Sequence, residues 1–221
     1  MRIAWSACAV ALAGCATGAP TGAREGWGFR GFGPAGFPHG VPQDIAVRSP
    51  VLGEGARDAV VAAARALVGK SGGDDCTALV RAVFRKVDVD VLADAAPDDN
   101  GVTALYRFAQ GRGRVFTSSH PMPGDLVFFR DTYDRNHDGQ DNDGLTHVGL
   151  VDSIEPDGTV AVIHRVQRGV VRYRMNLDHP DQRVGSAGET INDYLRPAGR
   201  GRAAVLAGQL FAAYATLYTQ V

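Results

Sequence analysis

The spacing of apolar positions changes along this chain, and each change predicts a different element. Between Gly55 and Val68, the residues Ala56, Ala59, Val60, Ala63 and Leu67 fall on one face at helical spacing. Beyond a glycine turn, Cys76, Leu79, Val80, Val83, Phe84 and Val87 repeat that spacing, while Arg81, Arg85 and Lys86 fall on other faces. This predicts a second amphipathic helix with Cys76 on its buried stripe. Asp74 or Asp75 can cap it, which puts Cys76 in the first turn. Gly101 to Gln110 predicts a third helix, closed by Gly111. From Pro123 onward the period shortens. Leu126 to Phe129 has the composition of a buried strand, and Thr146 to Asp152 alternates, with His147, Gly149 and Val151 on one face. Val160 to Val166 places Val160, Val162 and His164 on one face, and Val170 to Met175 predicts a further strand. Glu155-Pro156-Asp157-Gly158 is a turn signal. A hairpin centred on Pro156-Asp157 sets His147 and His164 nearly opposite each other, with both side chains on one face. Ala203 to Tyr218 is apolar on most sides and is expected to be a helix. Gln209 and Thr216 interrupt it, and it is too short to span a membrane.

Composition changes this picture mainly at the N-terminus. At 221 residues and a net charge of -1, the chain is large enough for one domain with extensions and has no basic excess for binding nucleic acid. Met1-Arg2-Ile3 supplies one positive charge, Ile3 to Ala13 is an apolar run of leader length, and Leu12-Ala13-Gly14-Cys15 follows. This resembles the bacterial lipoprotein signal, which is cut before the cysteine. The resemblance implies lipidation of Cys15 and a place in the cell envelope of a diderm bacterium. Ala16 after the cysteine favours the periplasmic side of the outer membrane over the inner membrane. The expected organisation is therefore a leader at 1–14, a Gly/Pro-rich tether at 15–50, a folded domain at 51–200 and a C-terminal helix at 201–221. Of the three cysteines, Cys8 leaves with the leader and Cys15 is capped by lipid. Cys76 is then an unpaired thiol in an oxidising compartment, which favours a used cysteine over an inert one.

The chemistry rests on three residues. A cysteine in the first turn of a helix feels the positive end of the helix dipole, which favours thiolate, although Asp74 and Asp75 oppose it. His147 can take the thiol proton, and His164 can hold the other ring nitrogen. The blocks Asp-Cys-Thr-Ala-Leu-Val (75–80), Pro-Gly-Asp-Leu-Val-Phe-Phe (123–129), Thr-His-Val-Gly-Leu-Val (146–151) and Val-Ile-His-Arg (162–165) resemble, in order, the NlpC-type and CHAP-type cell-wall hydrolases. That resemblance covers about residues 54–197. It implies an α+β, papain-like fold in which helices carrying the nucleophile pack on an antiparallel sheet. It also implies Cys76 as nucleophile, His147 as base, His164 as third polar residue and peptidoglycan as substrate, with no cofactor needed for catalysis. The oxyanion donors would be backbone N–H groups near Cys76. Thr77 and Ala78 stand where the NlpC group has serine and glycine, and the stretch 67–71 lacks that group's upstream aromatics.

Two other readings share these residues. One is an inactive wall-binding or partner-binding lipoprotein of the same fold. The other is a zinc-dependent hydrolase using Cys76, His147 and His164 as ligands. Separately, Asp134, Asn136, Asp138, Gln140 and Asn142 follow the first half of a calcium-loop pattern with Gly139 at the sharp turn. Leu145 stands where that pattern needs glutamate. Two readings stand for this loop: a structural calcium site in which Asp141 or Asp143 substitutes for the glutamate, and a long polar turn without metal.

Overall fold

The structure is a computed structural model that describes residues 52–53, 55–118, 120–199 and 201–218. The leader, the Cys15 lipidation site and the tether lie outside the described residues. Helix α1 runs over Gly55–Arg65, α2 over Cys76–Phe84 and α3 over Gly101–Arg112. Asp75 caps α2, its carboxylate accepting the Ala78 N–H at 2.7 Å, and Asn100 caps α3 through the N–H groups of Val102 and Thr103. Among the described residues, no helix is long and apolar enough to cross a membrane.

The strands are β1 (Arg114–Phe116), β2 (Leu126–Arg130), β3 (Leu145–Ile154), β4 (Val160–Val166), β5 (Gly169–Met175), β6 (Tyr194–Arg196), β7 (Val205–Leu206) and β8 (Phe211–Thr216). Among the described residues one six-stranded antiparallel sheet has the order β1-β8-β2-β3-β4-β5, and β6 pairs with β7 apart from it. One face carries Leu126, Phe128, Val148, Leu150, Ile163 and Val170 against the apolar stripes of α1, α2 and α3. Its opposite face carries Val127, Phe129, Val151, Val160, Val162 and Tyr214 under the segment around Ala207 and Leu210. The fold is therefore α+β, with the N-terminal helices packed on an antiparallel sheet as expected.

The C-terminal segment corrects the sequence reading. In place of a helix over Ala203 to Tyr218, the chain forms β7, a single helical turn α4 (Ala207–Leu210) and the strand β8. β8 lies inside the sheet, between β1 and β2. Its run Phe-Ala-Ala-Tyr-Ala-Thr is apolar on both faces because both faces are covered, and such a run carries no period that separates strand from helix. The segment after residue 200 is accordingly part of the domain and not an appendage to it. At its end Leu52 bridges Tyr218, and the Arg57 guanidinium lies 4.0 Å from the Tyr218 ring centroid. Arg57 also pairs with the buried Asp125 at 3.0 Å, tying α1 to the turn before β2.

Candidate active site

The start of α2 is held by the strands it faces. Val170 and the chain at 69–70 exchange two backbone hydrogen bonds, Gly69 N–H to the Val170 carbonyl at 2.9 Å and Val170 N–H to the Lys70 carbonyl at 2.8 Å. Arg165, on β4, donates from Nε to the carbonyls of Gly73 at 3.0 Å and Ser71 at 3.3 Å. Gly73 sits at φ +95°, and a Cβ there would come within 2.7 Å of the Ala78 Cβ. The turn therefore needs glycine both for its backbone angle and for its contact with α2.

These restraints bring Cys76 to β3. Its half-buried thiol lies near the Val148 N–H and near the N–H and hydroxyl of Thr77, whose dipoles favour the thiolate. Val148 is the residue after His147, so the thiol lies one step from the histidine along the strand. Burial pushes the Cys76 thiol above its ordinary range, the Val148 N–H opposes that, and the Asp75 carboxylate adds to it. The threonine that departs from the NlpC pattern thus keeps a hydroxyl near the sulfur. Thr77 is itself buried, and a Cβ at Gly101 would lie 2.7 Å from its hydroxyl oxygen, so α3 fixes its side chain.

The two histidines meet as the hairpin predicts. Gly149 pairs with His164 in the β3–β4 ladder, which leaves His147 diagonal to His164 on the same face. His147 Nε2 and His164 Nδ1 are 2.8 Å apart, and the rings stand edge to face. Gly149 makes this possible. A Cβ there would lie 2.6 Å from Val162 Cγ1 and 3.1 Å from His164 Cβ. Burial pushes His147 down to about 4, against a smaller pull upward from the Asp75 carboxylate. His164 is buried, and burial, with the charges of His147 and Arg168, holds it well below the ordinary imidazole range. Both rings are therefore neutral at pH 7.

A cavity of about 450 Å³ is lined by Tyr133, His137, Gln167, Arg196 and Arg202 among others, and Cys76, His147 and His164 are not in its lining. Tyr133 is half exposed and close enough to Cys76 that the thiolate charge would raise the phenol pKa. Another cavity, of about 420 Å³, lies at the β3–β4 turn, at the other end of the sheet and away from Cys76.

The zinc arrangement is not assembled. His147 and His164 spend facing nitrogens on each other at 2.8 Å, and one of these must carry a proton, so the two cannot converge on one ion. Among the described residues no group of three or more His, Cys, Asp or Glu side chains is placed to hold a metal. In the acidic loop the side chains turn onto the loop's own backbone. Asp134 accepts the N–H groups of Asp138 and Gly139, Asn136 accepts that of Asp138, and Asp138 accepts that of Gln140. Asp141 is drawn off by Arg196 at 3.0 Å and Arg202 at 2.7 Å. Among the described residues, no hydrogen bond from the side chains of Gln140 or Asn142 joins this set.

A helix-borne cysteine set against an antiparallel sheet that carries a histidine pair defines the papain-like class of α+β folds. Residues 68–165 match the model of the CHAP domain. CHAP domains are cell-wall hydrolases of amidase or peptidase type, with peptidoglycan as their substrate class. The match begins just before the glycine turn and ends at Arg165, so β5 and β8 lie beyond it. A comparison with curated proteins gives no match. Sequence reasoning missed Tyr133, Tyr173 and Arg168 around the centre. Only Tyr173 left a signal, through its place on the strand after His164.

Proposed function

We propose that this protein hydrolyses an amide bond of the peptidoglycan stem peptide by a Cys76–His147–His164 thiol mechanism, from a lipid anchor at Cys15 in the cell envelope. The observation that carries this reading is the 2.8 Å contact between His147 Nε2 and His164 Nδ1, with the Cys76 thiol near the N–H of Val148, the next residue of the same strand. With Nε2 occupied, Nδ1 is the His147 nitrogen left for the thiol.

His147 Nδ1 takes the thiol proton as sulfur attacks the carbonyl carbon of the scissile amide. The oxyanion that forms meets the Cys76 backbone N–H, which lies in the first turn of α2 and has no partner within the helix. As the C–N bond breaks, His147 returns the proton to the leaving amine. Water then attacks the thioester with His147 again as base, releasing a carboxylate and the free thiol. His164 keeps the imidazole oriented throughout. No cofactor takes part, and a calcium ion at the 134–145 loop would order that loop without entering a step.

The test is purified peptidoglycan incubated with wild-type protein and with Cys76→Ala, the soluble products being read by mass spectrometry. New amine and carboxyl termini are expected with wild type and none with Cys76→Ala. Identical products from both proteins, or inactivation by a chelator but not by iodoacetamide, would overturn the thiol mechanism. In producing cells, Cys15→Ser is expected to move the activity from the membrane fraction to the soluble one. Retention in the membrane fraction would remove the anchor from the proposal.

A further inference from the structure

His164 has one nitrogen engaged and one without a partner. Nδ1 faces His147 Nε2 at 2.8 Å, whereas Nε2 is buried and, among the described residues, has no nitrogen or oxygen within hydrogen-bonding reach. The ring of Tyr173 packs against the His164 ring. The two ring centroids are 4.4 Å apart with their planes at 68°, an edge-to-face arrangement. Tyr173 comes from β5, where Val171 pairs with His164, so it stands diagonal to His164 on the same face. His147, His164 and Tyr173 thus form one diagonal row across β3, β4 and β5. At the outer end of the row Arg168 donates to the Tyr173 hydroxyl at 3.2 Å, with its guanidinium 5.9 Å from the ring centroid.

The row has a consequence for where protons sit. For Nδ1 of His147 to accept the thiol proton, the resting hydrogen of that ring must be on Nε2. It is then donated to His164, whose Nδ1 must be a bare acceptor. Neutral His164 must in turn carry its own hydrogen on Nε2, the buried nitrogen that lacks a polar partner. An aromatic face can receive such an N–H. A carboxylate in its place would accept the hydrogen bond more strongly but would also favour protonation of His164. Protonated His164 presents N–H at both nitrogens and can no longer accept from His147. A neutral ring fixes the tautomer without creating that cation, and the nearby Arg168 charge opposes protonation as well.

We propose that Tyr173 is a positioning residue that holds His164 in its Nε2–H tautomer and so leaves the His147 Nδ1 lone pair free for the Cys76 thiol. The inference rests on the thiol mechanism proposed above. Without the ring, the buried N–H of His164 loses its acceptor, and the hydrogen moves to Nδ1, where His147 Nε2 can accept it. His147 then carries its hydrogen on Nδ1, facing the thiol, and the base is blocked.

The experiment uses the full chain with ¹⁵N-labelled histidine, comparing wild type, Tyr173→Phe and Tyr173→Leu. Nitrogen chemical shifts report the tautomer of His164 directly, and steady-state hydrolysis of peptidoglycan fragments reports the effect on turnover. Wild type and Tyr173→Phe are expected to hold the hydrogen on Nε2 with similar kcat. Tyr173→Leu is expected to move it to Nδ1 and to lower kcat roughly 10- to 100-fold with KM little changed. An Nε2–H tautomer retained in Tyr173→Leu would overturn the proposal. So would an equal loss in Tyr173→Phe, which would assign the effect to the hydroxyl. If wild type shows no Cys76-dependent hydrolysis, the thiol mechanism fails, while the tautomer measurement still decides the role of Tyr173.

Discussion

Burial acts on Cys76 and His147 in opposite senses, raising the thiol above its ordinary range and lowering the imidazole to about 4, and both shifts remove charge. The pair therefore rests as neutral thiol and neutral imidazole. A thiolate–imidazolium pair would need the thiol pKa to lie below that of the imidazole. The helix dipole and the Val148 N–H favour thiolate but do not overcome desolvation. Asp75 acts on both groups with one sign, stabilising imidazolium and destabilising thiolate, so it supplies no net drive toward the pair. Under the proposed thiol mechanism, catalysis would then proceed by general-base transfer during attack, and the pH dependence follows. The neutral imidazole is the active form, and it is lost as pH falls through its folded value. The acid limb of kcat/KM is expected near pH 4 and not near 6.5. Alkylation by iodoacetamide, which needs thiolate, is expected to be slow at neutral pH and to rise steeply above pH 9. A fast alkylation rate that stays flat between pH 5 and 8 would establish a preformed ion pair instead.

At the scale of elements, the β3–β4 hairpin is what turns two separate histidines into a pair. Its register was legible because polar and apolar residues alternate on either side of an unambiguous turn, and a one-residue slip would send His164 to the opposite face. The position of Cys76 was legible for a related reason, since Asp75 and the apolar stripe of α2 together fix where that helix begins. Other features left no such trace. β8 is apolar on both faces and has no period to read, and β1 holds three residues of mixed character, too short to show alternation. Tyr133 and Arg168 reach the centre from loops, whose course spacing does not encode. Gly149 is a residue whose role shows only in the folded sheet, because the space its side chain would need is taken by Val162 Cγ1, the Ile163 carbonyl oxygen and His164 Cβ. Gly149→Ala is expected to cost about 1–3 kcal/mol by overpacking against Val162 and His164. It should also lower kcat/KM by at least roughly tenfold, as His164 is displaced from His147. Chemical denaturation and steady-state kinetics check the two effects separately. Wild-type activity in this variant would mean that the diagonal contact tolerates displacement.

For the whole molecule, the decisive element is the one furthest from Cys76 in sequence. β8 fills the place between β1 and β2, with Arg114, Val115 and Phe116 paired to Thr216, Ala215 and Tyr214 on one side and Leu126 to Phe129 paired on the other. Tyr214, Ala215 and Leu217 are almost wholly buried, Ala215 and Leu217 in the core that seats α2 and β3 and Tyr214 in the core on the opposite face of the sheet. Removing β8 would expose both faces of that core and leave β2 as an unpaired hydrophobic edge. It would also free the α1 anchor, because the Arg57 guanidinium loses the Tyr218 ring beneath it while remaining beside the buried Asp125. Burial already pushes Asp125 upward against the pull of Arg57, so loosening that arginine leaves a carboxyl poorly matched to its site. Residues 68–165, which carry the family match and all three catalytic candidates, are therefore not a folding unit. A chain ending at residue 202 is expected to lack a cooperative thermal transition and near-ultraviolet circular dichroism, and to be recovered largely aggregated. The full chain should melt as one cooperative unit. A truncated protein that still melts cooperatively and hydrolyses peptidoglycan would show that the helices and β2–β5 hold the catalytic geometry without the strand beside them.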